Sequence, residues 1–309
     1  MSMNNGGSNS QSTTTISRSI STAAAAADDD DDGNFSFSSS ARRNNDDCPI
    51  QGVLFDLDGT LLDSEPLGCR AVYETLKDYM SDQARKDFQR RDYTMEWSLK
   101  QQTLGLPGPQ WAAIVLDWAQ QQQQQEQQQQ SLLLPTIDEF LTTWDQHMSE
   151  RMHTIQACKG ANELVQYLAH IRKIPLAIAT SSHSKSVQLK RRRHEETIFR
   201  YMSAVVTTDD PAVQRGKPAP DIYIHAAKQI SVNDPSYCIV FEDGVSGVQA
   251  AKAAGCFVIA VPDSRFTQQE RQTLFASQAD MVLSDLTEFD WDTVVQAFVA
   301  KKKTTTTTK

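Results

Sequence analysis

Apolar and polar positions along the chain follow two different rhythms, and the change between them marks its organisation. Val53, Leu54 and Phe55 form an unbroken apolar run ended by a Gly59-Thr60 turn, which predicts a short strand buried on both faces. Between about residues 67 and 155 the spacing is helical, and no strand signal interrupts it. Cys69, Val72, Tyr73, Leu76, Tyr79 and Met80 recur at three and four, behind a start that Asp63 or Ser64 can cap and Pro66 suits. Further apolar faces follow at Trp97, Leu99 and Leu104, at Trp111, Ile114, Val115 and Trp118, and at Ile137, Phe140, Leu141 and Trp144. From Gly160 onward helices alternate with apolar runs at 176–179, 204–206, 238–241, 257–261 and 281–283. That alternation predicts an α/β fold with a doubly wound parallel, Rossmann-like sheet. The helical block lodged after the first strand predicts an inserted cap, a natural lid over the strand end.

Composition trims the ends of this picture. Residues 1–47 are Ser, Thr, Asn and Gly with an alanine run at 23–27 and an aspartate run at 28–32, too little apolar surface to offset ordering entropy. The last nine residues, 301–309, are polar low complexity of the same kind. The expected organisation is therefore a core at 48–66 and 152–296, a cap at 67–151, and unordered segments at 1–47 and 297–309. A glutamine tract at 120–130, broken only by Glu126, either extends a cap helix or forms a solvated loop. A surface loop is preferred because insertions there cost little closure entropy, and a coiled coil lacks its a/d repeat.

Charge and cysteine usage exclude several classes of partner. A net charge of −9 gives no electrostatic case for nucleic-acid or anionic-membrane binding, and no apolar run is long enough to span a bilayer. A monomer in the cytoplasm is expected, although the first 27 residues, with Arg18, many hydroxyls and no acid, share features of an organellar transit peptide. Five widely spaced cysteines read as reduced thiols, not as a zinc site or a disulfide frame. The basic run from Lys190 to His194 is compatible with a nuclear address or a nucleic-acid patch, but its place at the end of a helix favours a solvated face. His183 and His194 read as surface or packing residues.

The candidate chemistry lies at the strand ends. Asp56 and Asp58 follow the first strand, Thr180 and Ser181 the second, and Glu242 and Asp243 the fourth, while Lys217 sits in a loop entering a helix. Alone, each reads as a turn, a cap or a loop. In a parallel sheet, however, these ends open on one edge, where ligands bind. Several carboxylates with one lysine and hydroxyl or amide donors suit a magnesium ion and a phosphate group.

Asp56-Leu57-Asp58-Gly59-Thr60, Thr180, Lys217-Pro218 and Glu242-Asp243 resemble the four motifs of the haloacid dehalogenase-like hydrolases, over about residues 50–290. The similarity is strongest to the branch that holds pseudouridine-5'-phosphatase and glycerol-3-phosphatase-like enzymes, through Ala179-Thr180-Ser181-Ser182, Arg193-His194, Asp209-Asp210-Pro211, 216–221 and 241–244. The resemblance implies Mg2+-dependent hydrolysis of a small phosphorylated metabolite. Asp56 would attack phosphorus, and Asp58 would protonate the leaving alkoxide and later deprotonate water. Thr180 and the Ser181 amide would hold phosphate oxygens, with Gly59 beside them, and Lys217 would neutralise charge between phosphate and Asp56. Magnesium would be held by Asp56, the Asp58 carbonyl and Asp243, with Glu242 direct or through water. The branch usually carries a basic residue just after a cap glycine, where this chain reads Gly105-Leu106-Pro107; Lys100 is the replacement offered for that substrate contact. A β-phosphoglucomutase-like transferase uses the same motifs, and a non-catalytic interaction protein built on the glutamine tract is the alternative from another class.

Overall fold

The computed structural model describes residues 49–104, 106, 108–125 and 133–307, all within one compact unit. In chain order the elements are β1 (Gly52–Phe55), β2 (Leu62–Asp63), α1 (Glu65–Leu76), α2 (Asp82–Arg90), α3 (Trp97–Thr103), α4 (Gly108–Gln125), α5 (Ile137–Arg151) and β3 (Gln156–Ala157). They continue with α6 (Ala161–Gln166), β4 (Leu176–Thr180), α7 (Ser184–His194), β5 (Ala204–Thr207), α8 (Asp221–Gln229), β6 (Cys238–Glu242), α9 (Val245–Ala253), β7 (Phe257–Ala260), α10 (Gln268–Arg271), β8 (Met281–Val282) and α11 (Trp291–Thr307).

Six strands form a parallel sheet in the order β5-β4-β1-β6-β7-β8. The period of two in each strand sorts side chains between two apolar layers. Val53, Phe55, Ile178, Ile239, Phe241 and Ile259 face one layer, and Leu54, Ala177, Ala179, Val240, Val258 and Ala260 face the other. The second layer is lined by small residues, which lets Ala226 and Ala227 of α8 and Ala250 and Ala251 of α9 approach closely. Register aligns Phe55 with Ile178 on one side and Phe241 on the other, and the Phe55 and Phe241 rings stack at 5.0 Å. From β1 the chain passes to β4 and β5, then returns to β6 on the opposite side. The sheet therefore reverses direction beside β1, and a crevice opens there.

The inserted block owns an apolar cluster of its own, including Val72, Leu76, Phe88, Leu99, Val115 and Phe140. Where the chain leaves for this block and where it returns, β2 and β3 pair antiparallel, Leu62 with Ala157 and Asp63 with Gln156. Two strands of two residues leave no periodicity to read. The first helix ends at Leu76, before Tyr79 and Met80, and α2 follows as an extra helix whose only buried residues are Ala84 and Phe88.

Two expectations are corrected. The expected unordered tail at 297–309 is helical over its described part, 297–307: α11 runs to Thr307, because Trp291, Val294 and Phe298 make an apolar face buried on the core. Beyond it the Lys301 ammonium donates to the Cys256 carbonyl and the Asp280 carboxylate, both at 2.9 Å. The glutamine tract does not leave the fold at residue 120. Residues 120–125 continue α4, and buried Gln123 donates to the Tyr79 carbonyl at 2.8 Å. The rest of the tract and the N-terminal segment 1–47 lie outside the described residues. Cys69, Cys158, Cys238 and Cys256 are free thiols, and no described helix is long and apolar enough to cross a membrane.

Candidate active site

Asp56 directly extends β1, and its amide donates to the Phe241 carbonyl at 3.0 Å, so the strand pairing carries the carboxylate to the sheet edge beside Glu242. Asp56 and Glu242 are buried and Asp243 half-buried, and the three can place one oxygen each within 4.8 Å of one another. One lysine serves them: the Lys217 ammonium lies 2.5 Å from Asp56 Oδ1 and 2.6 Å from Glu242 Oε1, with 5 % of its side chain exposed. Glu242 Oε1 also accepts from the Tyr223 hydroxyl at 2.6 Å, and Oε2 accepts from the Gly244 amide at 3.1 Å. Thr60 donates to Asp243 at 3.2 Å.

Charge at this cluster is out of balance. Three carboxylates, Asp56, Glu242 and Asp243, face one ammonium, Lys217, so with all three ionised two negative charges would be uncompensated. The titration of the group reflects this. Burial pushes the Asp56 carboxyl up to about 7, with Lys217 opposing and Glu242 and Asp58 adding to the rise. Burial and the charges of Asp56 and Glu242 hold Asp243 well above the ordinary carboxylate range. A divalent cation would remove the imbalance, and hard carboxylate oxygens are the donors magnesium takes. The residues present therefore fit the implied ion.

Asp58 stands apart from that cluster. Both its oxygens lie 2.6 Å from the Lys190 ammonium, and Ser182 donates to Oδ2 at 2.7 Å. Burial would raise this carboxyl, but the adjacent Lys190 charge, with hydrogen bonds from Lys190, Ser182 and Ser64, holds it below its usual value. The expectation that Lys190 lies on a solvated basic face is thus overturned. Val187, Lys190 and His194 share the buried side of α7, spaced at three and four, while Arg191, Arg192 and Arg193 face solvent. His194 is a packing residue whose Nε2 meets the Ile155 carbonyl at 2.9 Å.

The remaining residues line one cleft. Thr180 is buried, and its hydroxyl accepts from the Ser182 amide at 3.0 Å; Ser181 is exposed on the cleft wall. Gly59 has φ +87°, and a Cβ there would lie 2.2 Å from Asp243 Oδ2, so a side chain is excluded beside the carboxylates. Lys100 reaches the cleft from α3 and pairs with Glu65. Glu65 also accepts from Arg265 at 3.1 Å, and Arg265 pairs with Asp263 at 2.6 Å while its guanidinium lies 4.5 Å from the Trp97 ring centre. Sequence reasoning gave no site role to Ser182, quoted only within a motif, or to Lys190, Tyr223, Glu65 and Arg265. For Lys190 a signal existed in its helical spacing from Val187; Arg265 and Glu65 carry none.

The structure combines a parallel α/β sheet, a helical insertion and an acidic cluster at the switch point of the strand order. Residues 50–255 match the family model of haloacid dehalogenase-like hydrolases. The chain is 34% identical over 242 residues to (DL)-glycerol-3-phosphatase 1, mitochondrial, of Arabidopsis thaliana, covering 78% of this chain and 72% of that protein. It is 32% identical over 237 residues to a probable pseudouridine-5'-phosphatase of Drosophila melanogaster, covering 76% and 90%. In fold it matches a crystal structure of a family IA, variant 3 hydrolase from Entamoeba histolytica, with a TM-score of 0.60, 24% identity, and coverage of 81% of this chain and 100% of that one. This chain belongs to the haloacid dehalogenase-like hydrolases. Both curated relatives are named phosphatases, and the chain is an enzyme of that hydrolase class.

Proposed function

We propose that the chain is a magnesium-dependent phosphatase that hydrolyses a small phosphate monoester through a phosphorylated Asp56. The observation that carries this reading is the charge imbalance of two at the Asp56, Glu242 and Asp243 cluster, matched to a divalent ion and beside a lysine. When bound, magnesium supplies the positive charge that lets a phosphate and a carboxylate approach each other. Asp56, Asp243 and the Asp58 carbonyl are the residues assigned to hold it. Glu242 is already engaged by Lys217, Tyr223 and the Gly244 amide, which supports an outer role through water.

In the first half-reaction an Asp56 oxygen forms a bond to phosphorus as the ester oxygen leaves, and that oxygen takes a proton from Asp58. In the second, Asp58 removes a proton from water, the water oxygen bonds to phosphorus, and the bond to Asp56 breaks. Thr180 and the Ser181 amide are assigned to the phosphate oxygens, and Lys217 to the charge between phosphate and Asp56. The pairing of Asp58 with Lys190 favours the carboxylate form that the second half-reaction needs and opposes the protonated form that the first one uses, so the proton is given up readily to the leaving oxygen.

Glycerol 3-phosphate and pseudouridine 5'-phosphate are the leading substrates, supported by the relatives named for them. The cleft mouth agrees with an uncharged remainder, since Lys100 and Arg265 are paired with Glu65 and Asp263. Phosphate release from nucleotide, polyol and sugar monophosphates, with and without magnesium, tests the proposal. A preference for neither named ester would remove the substrate assignment, and activity unaffected by chelation would remove the metal.

A further inference from the structure

Two buried lysines divide the acids of this site between them. Lys217 serves Asp56 and Glu242, and Lys190 serves Asp58. A lysine with 3 % of its side chain exposed has almost no water to solvate its charge, so its partners must satisfy it within the fold. An ammonium has three donors and no acceptor. Those of Lys190 go to Asp58 Oδ1 at 2.6 Å, Asp58 Oδ2 at 2.6 Å and Ser182 Oγ at 2.8 Å. Ser182 closes the arrangement by donating to Asp58 Oδ2 at 2.7 Å. No donor is left for a phosphate.

The support behind Lys190 is rigid and separate from the acidic cluster. Helix α7 is anchored at its first turn, where Asp209 accepts from the Ser184 amide at 2.9 Å and hydroxyl at 2.7 Å. Its far end is fixed by the His194 contact with Ile155. A charge on such an element gives Asp58 a fixed reference for the direction of its carboxyl group.

We propose that Lys190 is a positioning residue for Asp58, acting with Ser182 to aim the carboxyl group that moves protons to and from the ester. Lys190 contacts Asp58 and Ser182 and is not among the residues that line the cleft, so it acts through Asp58. The inference rests on the assignment of Asp58 as the proton carrier, and the test separates the two.

Lys190→Met keeps the side-chain volume and removes the three donors. Kinetics of Lys190→Met, Asp58→Asn and the double variant are measured on glycerol 3-phosphate and p-nitrophenyl phosphate with magnesium. Lys190→Met is expected to lower kcat by up to about 10²-fold on the alkyl ester, in line with the cost of a misplaced catalytic group, with KM nearly unchanged. The loss on the aryl ester, whose phenolate leaves with less help, is expected to be smaller. In the Asp58→Asn background the lysine change is expected to cost nothing further. Equal losses on both esters that add to those of Asp58→Asn, or a loss confined to KM, would overturn the proposal. If Lys190→Met fails to fold, Ser182→Ala is expected to show the same leaving-group dependence, and its absence counts equally against the inference. If Asp58→Asn shows no leaving-group dependence, the proton-carrier assignment fails, while non-additivity on the aryl ester still reports whether Lys190 acts through Asp58.

Discussion

A Cβ on Gly247 would lie 1.7 Å from Glu242 Oε1, so the first turn of the helix after β6 leaves its space to a carboxylate of the candidate site. Gly247 is the third residue of α9, and the buried Glu242 side chain folds back against it. Gly247→Ala is therefore expected to displace Glu242 from Lys217, Tyr223 and the Gly244 amide. Ala suits a helix, so the fold should persist while magnesium affinity falls by about 10–100-fold, the usual cost of losing an outer partner of a metal site. Calorimetric titration with magnesium, alongside circular dichroism, checks both halves.

Asp56 and Asp58 are the same residue type in two environments, and their amides should behave differently. Asp56→Asn is expected to abolish turnover and phosphoenzyme formation. Asp58→Asn retains the nucleophile and is expected to lose about 10²–10⁴-fold on an alkyl ester, the range for general acid–base catalysis, and less on an aryl ester in the phosphorylation step. Rapid-quench measurement of the phosphoenzyme distinguishes the two variants.

Without metal, Asp56 and Asp243 should make the protein less stable as pH rises from about 5 to 7, above the range in which the carboxylates held low, such as Asp58 and Glu65, titrate. Asp56 titrates near 4 when unfolded, by the ordinary carboxylate value, and at about 7 in the fold. Between those values the folded chain holds a proton that the unfolded chain has released, so raising the pH favours unfolding. Asp243 shifts in the same direction. Magnesium should reverse the trend, because it binds the ionised carboxylates and releases the proton. Thermal midpoints from pH 5 to 7 of the parent and of Asp56→Asn, with and without magnesium, give the sign; a metal-free parent whose midpoint falls no more with pH than that of Asp56→Asn would count against the carboxylate assignment.

How far the sequence reveals the fold depends on what each segment buries. The strand runs around Val53, Leu176 and Cys238 were legible because both faces of a central parallel strand are covered, and the candidate positions Asp56, Thr180 and Glu242 were legible because they stand at the ends of those strands. Lys190 was not, because four basic residues in a row read as solvated and the one turned inward has a partner 132 positions away. Helix α11 was hidden by its Lys and Thr composition, and the glutamines of α4 by theirs. Gln123 makes the last point testable: Gln123→Ala should cost about 1 kcal/mol, the usual loss for a hydrogen bond in a folded chain, whereas exposed Gln124→Ala should stay within about 0.5 kcal/mol. Urea unfolding of the two variants makes the comparison.

Glu65 is expected to set the charge that the cleft accepts. It joins Lys100 of the helical block to Arg265 of the loop after β7, and its carboxyl is held below its ordinary range because Lys100 and Arg265 outweigh the effect of burial. With Asp263 on the other side of Arg265, two cations meet two anions and these four side chains carry no net charge between them. A substrate whose far end is a second phosphate gains nothing there. Glu65→Gln keeps the shape and removes one negative charge, leaving Lys100 without its ionic partner. The ratio of kcat/KM for a sugar bisphosphate to that for glycerol 3-phosphate should then rise by about tenfold, the equivalent of about 1.4 kcal/mol. Lys100→Ala on top of Glu65→Gln should reverse that gain, since it removes the released charge. If Glu65→Gln slows both esters alike, Glu65 serves to dock the helical block on the core, and the charge of the mouth does not select the substrate.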